Sequence, residues 1–160
     1  SGLIINCSSS VGRMTGPFFG TYAATKHALE AYMQALPYEV SGFGVDITLV
    51  EPGPFGTNLI NIGRPAARKK IIAEYGELAN VPDAMLSSFS EMLNGPESPD
   101  PQLVVDLYCS LADMPAGQRP TRSVVGMTWG VSEINHKTQP IQDAILKDLQ
   151  LDTVLGGSDA

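Results

Sequence analysis

The chain has 160 residues, of which 43% are hydrophobic, and this is enough apolar material for one buried core of domain size. Its formal charge of −7 argues against nucleic acid or an anionic membrane as a partner, and no apolar run approaches the length of a membrane span. Its two cysteines, Cys7 and Cys109, do not indicate a disulfide framework or a metal site, so a reducing, cytoplasmic setting is expected.

A short apolar strand is predicted first, over residues 3–6, and Cys7 at its end is expected to be buried. Three consecutive serines at positions 8–10 follow, and then a loop containing Gly12, Gly16 and Pro17. A long helix is predicted over residues 20–40, where apolar residues recur at helical spacing. Pro37 lies inside this helix, so the helix is expected either to bend there or to end early.

Three polar side chains of this region can act together: Ser9, Tyr22 and Lys26. Tyr22 and Lys26 are four positions apart, so on a helix they share one face. Ser9 lies just past the carboxyl end of the strand, where open α/β sheets place their ligands. A nearby ammonium favours the phenolate form of a phenol, so Tyr22 can pass a proton to or from a substrate oxygen that Ser9 holds. The simpler alternative is that Tyr22 and Lys26 only form a helix-face contact.

The second strand is predicted over residues 45–50, and the stiff loop PGPFGT follows it. Residues 59–97 combine helical spacing with helix-breaking residues, and their basic run at positions 68–70 is expected to be a solvated helix face. A helix over residues 99–111, a strand over residues 123–125 and an amphipathic helix over residues 141–149 complete the chain. His27 and His136 are interpreted as surface residues rather than ligands.

The segments NCSSS, YAATK and VEPGPFGT together resemble the short-chain dehydrogenase/reductase family. Its signature is a serine, twelve intervening residues and Tyr-x-x-x-Lys, followed by a Pro-Gly motif after the next strand. The resemblance covers nearly the whole chain and implies a Rossmann-type three-layer α/β sandwich with a parallel sheet. It implies an NAD- or NADP-dependent oxidoreductase that interconverts an alcohol and a ketone, with no metal. In it, Tyr22 is the general acid/base, Ser9 binds the substrate oxygen, and Lys26 activates Tyr22 and holds the nicotinamide ribose.

The same resemblance implies roles for the loop after the second strand and for the segment beyond it. Residues 59–97 correspond to the substrate lid. The loop residues that would meet the nicotinamide end of the cofactor are Pro52, Gly53, Phe55 and Thr57.

No glycine-rich dinucleotide-binding fingerprint is present near the start of the sequence. We therefore expect residues 1–160 to be the C-terminal part of a compact-branch family member, whose dinucleotide-binding part lies outside this sequence. Alone, these residues are expected to be inactive. The family implies a homodimer or homotetramer for the full-length protein, paired through the helix that carries Tyr22.

Two other functions fit the same residues. A non-catalytic binding or scaffold protein can use this fold, although the intact Ser9, Tyr22 and Lys26 set speaks against it. A sugar-nucleotide epimerase of the family's extended branch is the other alternative, and PGPFGT favours the compact branch. The sequence determines neither the substrate nor the choice between NAD and NADP.

Overall fold

The structure is a computed structural model that describes residues 1–59 and 67–151, without the side chain of residue 41. Its strands are β1 (Gly2–Cys7), β2 (Val45–Pro52) and β3 (Arg122–Val125). Its helices are α1 (Gly20–Val40), α2 (Lys69–Glu74), α3 (Val81–Leu93), α4 (Gln102–Asp113) and α5 (Val131–Asp148). The chain forms two compact units, one of residues 1–53 and 103–160 and the other of residues 54–102.

The first unit is built on a parallel sheet with the strand order β1-β2-β3. Ile5 lies opposite Thr48 in the first pairing, and Val50 lies opposite Ser123 in the second. The central strand β2 is buried from residue 47 to residue 51, as expected for a strand with a neighbour on each side. The predicted parallel α/β fold is therefore confirmed, and all three strands were predicted to within about two residues at each end.

The buried core of this unit joins α1 to β2. Met33 packs with Ile47 and Leu49, and partly buried apolar side chains surround them: Leu29, Leu36, Val40 and Val45. Helix α1 continues through Pro37 to Val40, so the suggestion that it ends early is wrong. A proline removes one helix hydrogen bond, but the residues on both sides of Pro37 pack on the core and offset that cost.

Helix α5 begins ten residues before its predicted start at residue 141. The prediction rested on the apolar spacing of Ile141, Ile145 and Leu149, and the observed helix also contains Pro140, although an interior proline is costly in a helix. In the structure Val131 is fully buried and anchors the first turn, and Lys137 pairs with Glu133 one turn away at 2.6 Å. Tertiary packing of the first turn therefore extends the helix across the proline. His136 lies on this helix and is exposed, as predicted.

The second unit contains α2, a 3₁₀ turn over Gly76–Asn80 and α3. This agrees with the mixed helical character predicted for residues 59–97, of which residues 60–66 lie outside the described residues. The basic run at positions 68–70 is exposed, as expected of a solvated helix face. Within the part of the chain that the structure describes, no helix is both long enough and apolar enough to cross a membrane.

Gly53 follows β2 where the backbone of Met127 crosses closely. A Cβ atom at Gly53 would lie 1.9 Å from the Met127 carbonyl oxygen and 2.6 Å from its carbonyl carbon. The Gly53 N–H also donates to the carbonyl oxygen of Val125 at 2.8 Å, which fixes the backbone in place. The resemblance predicts that this glycine meets the nicotinamide end of the cofactor, and the structure adds that the backbone of Met127 also requires a glycine at this position.

Gly53→Ala is expected to destabilise the protein by at least about 2 kcal/mol, because a methyl group cannot fit without moving backbone. Urea unfolding of the purified variant measures the loss. Gly42→Ala is the matched control, since nothing lies within 4 Å of the position of its Cβ. That variant should stay within about 1 kcal/mol of the parent. Equal stability of the two variants would contradict the close approach.

Candidate active site

Ser9 lies in a turn directly after β1. The Ser8 N–H donates to the Val50 carbonyl oxygen at 2.7 Å and so continues the sheet, whereas Ser9 leaves it with an extended backbone. The Gly12 N–H then closes the turn on the Ser9 carbonyl oxygen at 2.9 Å. Ser8 and Ser10 are buried, and Ser9 is the partly exposed member of the three. Of the three hydroxyls, that of Ser9 is therefore the one that a substrate can reach.

Tyr22 and Lys26 lie one turn apart on α1, as the sequence predicts. The Lys26 ammonium lies 5.9 Å from the centroid of the Tyr22 ring, and the Tyr22 side chain is 40% exposed. Lys26 Nζ also donates a hydrogen bond to the Cys7 carbonyl oxygen at 3.0 Å, at the end of β1. One ammonium therefore contacts both the phenol and the strand end that leads into Ser9.

Among residues 1–59 and 67–151, the hydrogen-bonding capacity of Lys26 and Ser9 is only partly used. An ammonium has three N–H donors, and Lys26 uses one of them on Cys7. The Ser9 Oγ accepts a long contact from the Val11 N–H at 3.4 Å, which leaves its own O–H as a donor. Both side chains can therefore donate hydrogen bonds to the oxygen atoms of a bound molecule.

The four residues of the loop after β2 fall in different units. Pro52 ends β2 and Gly53 follows it, both in the unit that contains Ser9, Tyr22 and Lys26. Phe55 and Thr57 belong to the second unit, which begins at Pro54.

Within the second unit this loop forms a local turn. The Thr57 N–H donates to the Phe55 carbonyl oxygen at 2.8 Å. Thr57 Oγ1 accepts a long contact from the Leu59 N–H at 3.4 Å, and Thr57 itself is exposed. With respect to the residues that the structure describes, the Thr57 O–H therefore remains available as a donor.

A buried cluster of charged and polar groups near this site was not predicted from the sequence. Arg122 of β3 donates through one guanidinium nitrogen to Glu30 of α1 and to Glu51 of β2. Asn135 of α5 donates to the second carboxylate oxygen of Glu51. Both glutamates are almost completely buried. The available sequence signals were Glu30, four residues after Lys26, and Glu51, which follows directly on the apolar pair Leu49 and Val50.

The cluster changes the protonation behaviour of Glu51. Burial, followed by the negative charge of Glu30, raises the pKa of the Glu51 carboxyl above its usual value of 4.5. The hydrogen bonds from Asn135 and the charge of Arg122 oppose the shift without cancelling it. Two carboxylates facing one guanidinium carry a net negative charge, and a proton on Glu51 removes it.

This shift predicts a pH-dependent contribution to stability. Because the folded state binds the Glu51 proton more tightly, the contribution is full below pH 4.5 and is lost as pH rises through the raised pKa of Glu51. Glu51→Gln cannot titrate, so its free energy of unfolding relative to the parent should increase as pH rises from 4.5 to the raised pKa of Glu51 and level off above it. The slope can reach about 1.4 kcal/mol per pH unit. Urea unfolding of both proteins over a pH series measures it, and parallel profiles would contradict the assignment.

Several known proteins resemble this chain in sequence. A sequence profile of the family described as short chain dehydrogenase matches residues 1–66, which include Ser9, Tyr22 and Lys26. An NADPH-dependent 3-dehydrocapnine reductase from Ornithobacterium rhinotracheale is 38% identical over 77 residues, which are 48% of this chain and 27% of that protein. The uncharacterized oxidoreductase YusZ from Bacillus subtilis is 35% identical over 114 residues, which are 68% of this chain and 38% of that protein.

A solved structure shares the fold as well. The crystal structure of a short-chain dehydrogenase from Streptomyces avermitilis matches with a TM-score of 0.55 and 26% sequence identity. The match covers 100% of this chain and 53% of that chain. The chain thus spans about half of the solved relative and a smaller share of these two curated relatives.

The parallel sheet, with Ser9 after its first strand and Tyr22 and Lys26 on the next helix, defines a Rossmann-type α/β protein. With the profile match and these relatives, the chain belongs to the short-chain dehydrogenase/reductase family. The named relatives are oxidoreductases, and one of them is described as NADPH-dependent.

Proposed function

We propose that the full-length protein is an NAD(P)-dependent oxidoreductase that interconverts an alcohol and a ketone by hydride transfer. The observation that carries this proposal is the position of the Lys26 ammonium, which contacts the Tyr22 ring and the carbonyl oxygen of Cys7 just before Ser9. A cation fixed at this point stabilises negative charge on the phenol oxygen. Family membership and the oxidoreductase relatives support the same reaction class.

Each residue has a distinct part in the proposed reaction. Tyr22 exchanges a proton with the substrate oxygen, donating it when a ketone is reduced and accepting it when an alcohol is oxidised. The Ser9 hydroxyl donates a hydrogen bond to the same oxygen and so orients the substrate. Lys26 favours the ionised form of Tyr22 through its positive charge. The bound nicotinamide dinucleotide supplies or accepts the hydride.

The donors present also fit the ribose end of such a cofactor. Lys26 has two N–H groups beyond the one on Cys7, and a ribose diol offers two oxygen atoms that can accept them. We assign Tyr22 and Lys26 to the ribose, and Pro52, Gly53, Phe55 and Thr57 to the nicotinamide end, because the family resemblance places them there. NAD and NADP both fit these residues.

We further propose that residues 1–160 supply the C-terminal part of one Rossmann-type domain, with residues 59–97 as its substrate lid. The support is the coverage of 53% of the solved relative. A homodimer or homotetramer paired through α1, and a cytoplasmic location, are parts of the same proposal that rest on the resemblance and the composition.

The direct test is an assay of the full-length protein against a panel of ketones and alcohols with NADPH, NADH and their oxidised forms, followed by nicotinamide absorbance. We expect turnover with at least one pair, and the preferred cofactor identifies the NAD or NADP dependence. Tight cofactor binding without turnover of any panel member would favour the scaffold alternative. Conversion of a sugar nucleotide into its epimer, with no net change of nicotinamide absorbance, would favour the epimerase alternative.

The 160 residues alone are expected to show no dehydrogenase activity and no cofactor binding tighter than about millimolar. In the family, a glycine-rich turn binds the cofactor phosphates and contributes much of the affinity, and this sequence has no such fingerprint. Calorimetric titration of the purified, monodisperse chain with NADH and NADPH tests this prediction. Micromolar binding of either cofactor would show that these residues form a complete cofactor site.

A further inference from the structure

The turn that carries Ser9 is in contact with the buried cluster formed by Glu30, Glu51, Arg122 and Asn135. A Cβ atom on Gly12 would lie 2.9 Å from Glu30 Cγ and 2.7 Å from Ser8 Oγ. The Glu30 side chain therefore lies directly against the backbone of Gly12. Since the Gly12 N–H closes the turn on the Ser9 carbonyl oxygen, Glu30 contacts the residue that fixes the turn.

The next residue of the turn is attached to the same cluster. Arg13 Nε donates to the Asn135 side-chain oxygen at 2.8 Å, and another Arg13 nitrogen donates to Thr138 Oγ1 at 2.7 Å. Asn135 in turn donates to the buried carboxylate of Glu51. Two consecutive residues at the end of the Ser9 turn are therefore held in place: Gly12 by contact with Glu30, and Arg13 by hydrogen bonds to Asn135 and Thr138.

Helix α1 holds both sides of Ser9 from successive turns. Lys26 binds the Cys7 carbonyl oxygen before Ser9, and Glu30, one helical turn later, packs on Gly12 after it. Tyr22 lies one turn before Lys26 on the same helix. The distance between the turn and α1, and with it the placement of Ser9 relative to Tyr22, therefore depends on Glu30.

A glutamate at position 30 lowers the stability of the folded state relative to an apolar residue, so packing alone does not explain it. Its carboxylate is buried, and one of its oxygens has no hydrogen-bond partner within the described residues. Burying a carboxylate beside a second one costs free energy that an apolar side chain of similar size avoids. Arg122 compensates part of this cost and fixes the glutamate in a single place, as a positioning role requires.

We propose that Glu30, held by Arg122, is a positioning residue that sets the placement of Ser9 relative to Tyr22. The expected effect on kcat rests on the proposed oxidoreductase function. The support that Glu30 gives to the Ser9 turn does not depend on that function. Removing the side chain leaves the Ser9 turn unsupported, and adding a methyl group at Gly12 pushes the turn away from Glu30. Both changes displace Ser9 without touching Tyr22, Lys26 or Ser9 itself.

The kinetic test uses Glu30→Ala and Gly12→Ala in the full-length protein, each also combined with Ser9→Ala. Because small misplacements of a reacting group are costly, each single variant should lower kcat by about 10- to 100-fold and leave the dissociation constant of the cofactor within about twofold. In the Ser9→Ala background, the same changes should alter kcat by less than about twofold. The controls are Glu39→Ala, an exposed glutamate of α1, and Gly16→Ala, with nothing within 4 Å of its Cβ position.

Amide hydrogen exchange of Gly12 in the ligand-free protein tests the structural part and requires no activity. Glu30→Ala should speed this exchange at least about tenfold, and Glu39→Ala should leave it unchanged. If Glu30→Ala does not fold, Gly12→Ala carries the kinetic test alone. An equal fall in kcat with and without Ser9, or unchanged kcat, overturns the positioning role. An inactive parent whose Gly12 exchange still responds to Glu30→Ala contradicts the proposed function and leaves the structural part standing.

Discussion

Tyr22→Phe in the full-length protein is expected to lower kcat by about 10²- to 10⁴-fold, because it removes the proposed proton donor and acceptor. The ring is retained, so cofactor affinity should change little. Stopped or continuous assays of nicotinamide absorbance give kcat, and fluorescence titration gives the dissociation constant of the cofactor. The effect should appear in kcat and in kcat/KM alike, since the lost interaction belongs to the transition state.

Tyr32→Phe is the matched control for this experiment. Tyr32 lies on the same helix and is 60% exposed, so loss of its hydroxyl should leave turnover close to that of the parent. Turnover of Tyr22→Phe within about tenfold of the parent would rule out the acid/base role of Tyr22.

Lys26→Ala should have two separate effects. It removes the hydrogen bond to Cys7 and the donors proposed for the ribose, so the cofactor should bind more weakly. It also removes the positive charge 5.9 Å from the Tyr22 ring centroid. Since that charge favours the phenolate, its loss should move the high-pH limb of the ketone-reduction profile to higher pH. We expect kcat/KM to fall by at least about 10²-fold.

The two effects of Lys26→Ala are measured independently. Cofactor titration reports the first, and the pH dependence of kcat at saturating cofactor reports the second. Lys147→Ala, which changes an exposed lysine of α5, controls for the loss of one positive charge. A high-pH limb that stays in place while residual activity is measurable would disprove the coupling between Lys26 and Tyr22.

Much of the first unit follows directly from local sequence patterns. The three strands are short apolar runs bounded by turn residues, and α1 has an apolar face at helical spacing, so each was predicted close to its final bounds. The adjacency of Tyr22 and Lys26 follows from their four-residue spacing alone, because neighbouring turns of a helix bring such side chains together. The sequence likewise selects Ser9 from the three serines through its offset from Tyr22.

Other features depend on contacts that no local pattern contains. Cys7, expected to be buried in an apolar strand, is exposed in the structure, where β1 pairs with β2 alone among the described strands. Helix α5 starts at Val131, because the first turn gains its stability from packing rather than from residue preferences. Gly53 is required by the backbone of Met127, more than seventy positions away.

The sequence by itself therefore determined the parallel α/β class, the strands, the long helix, the position of Ser9 after the first strand and the pairing of Tyr22 with Lys26 on that helix. Only the tertiary structure decided that Glu30, Glu51, Arg122 and Asn135 meet in one buried cluster. These four residues come from four different elements, and charged residues are usually exposed, so no spacing along the chain predicts their burial. They meet because β2 lies beside β3 in the parallel sheet and α1 packs against β2. This arrangement brings together residues that are far apart in the sequence.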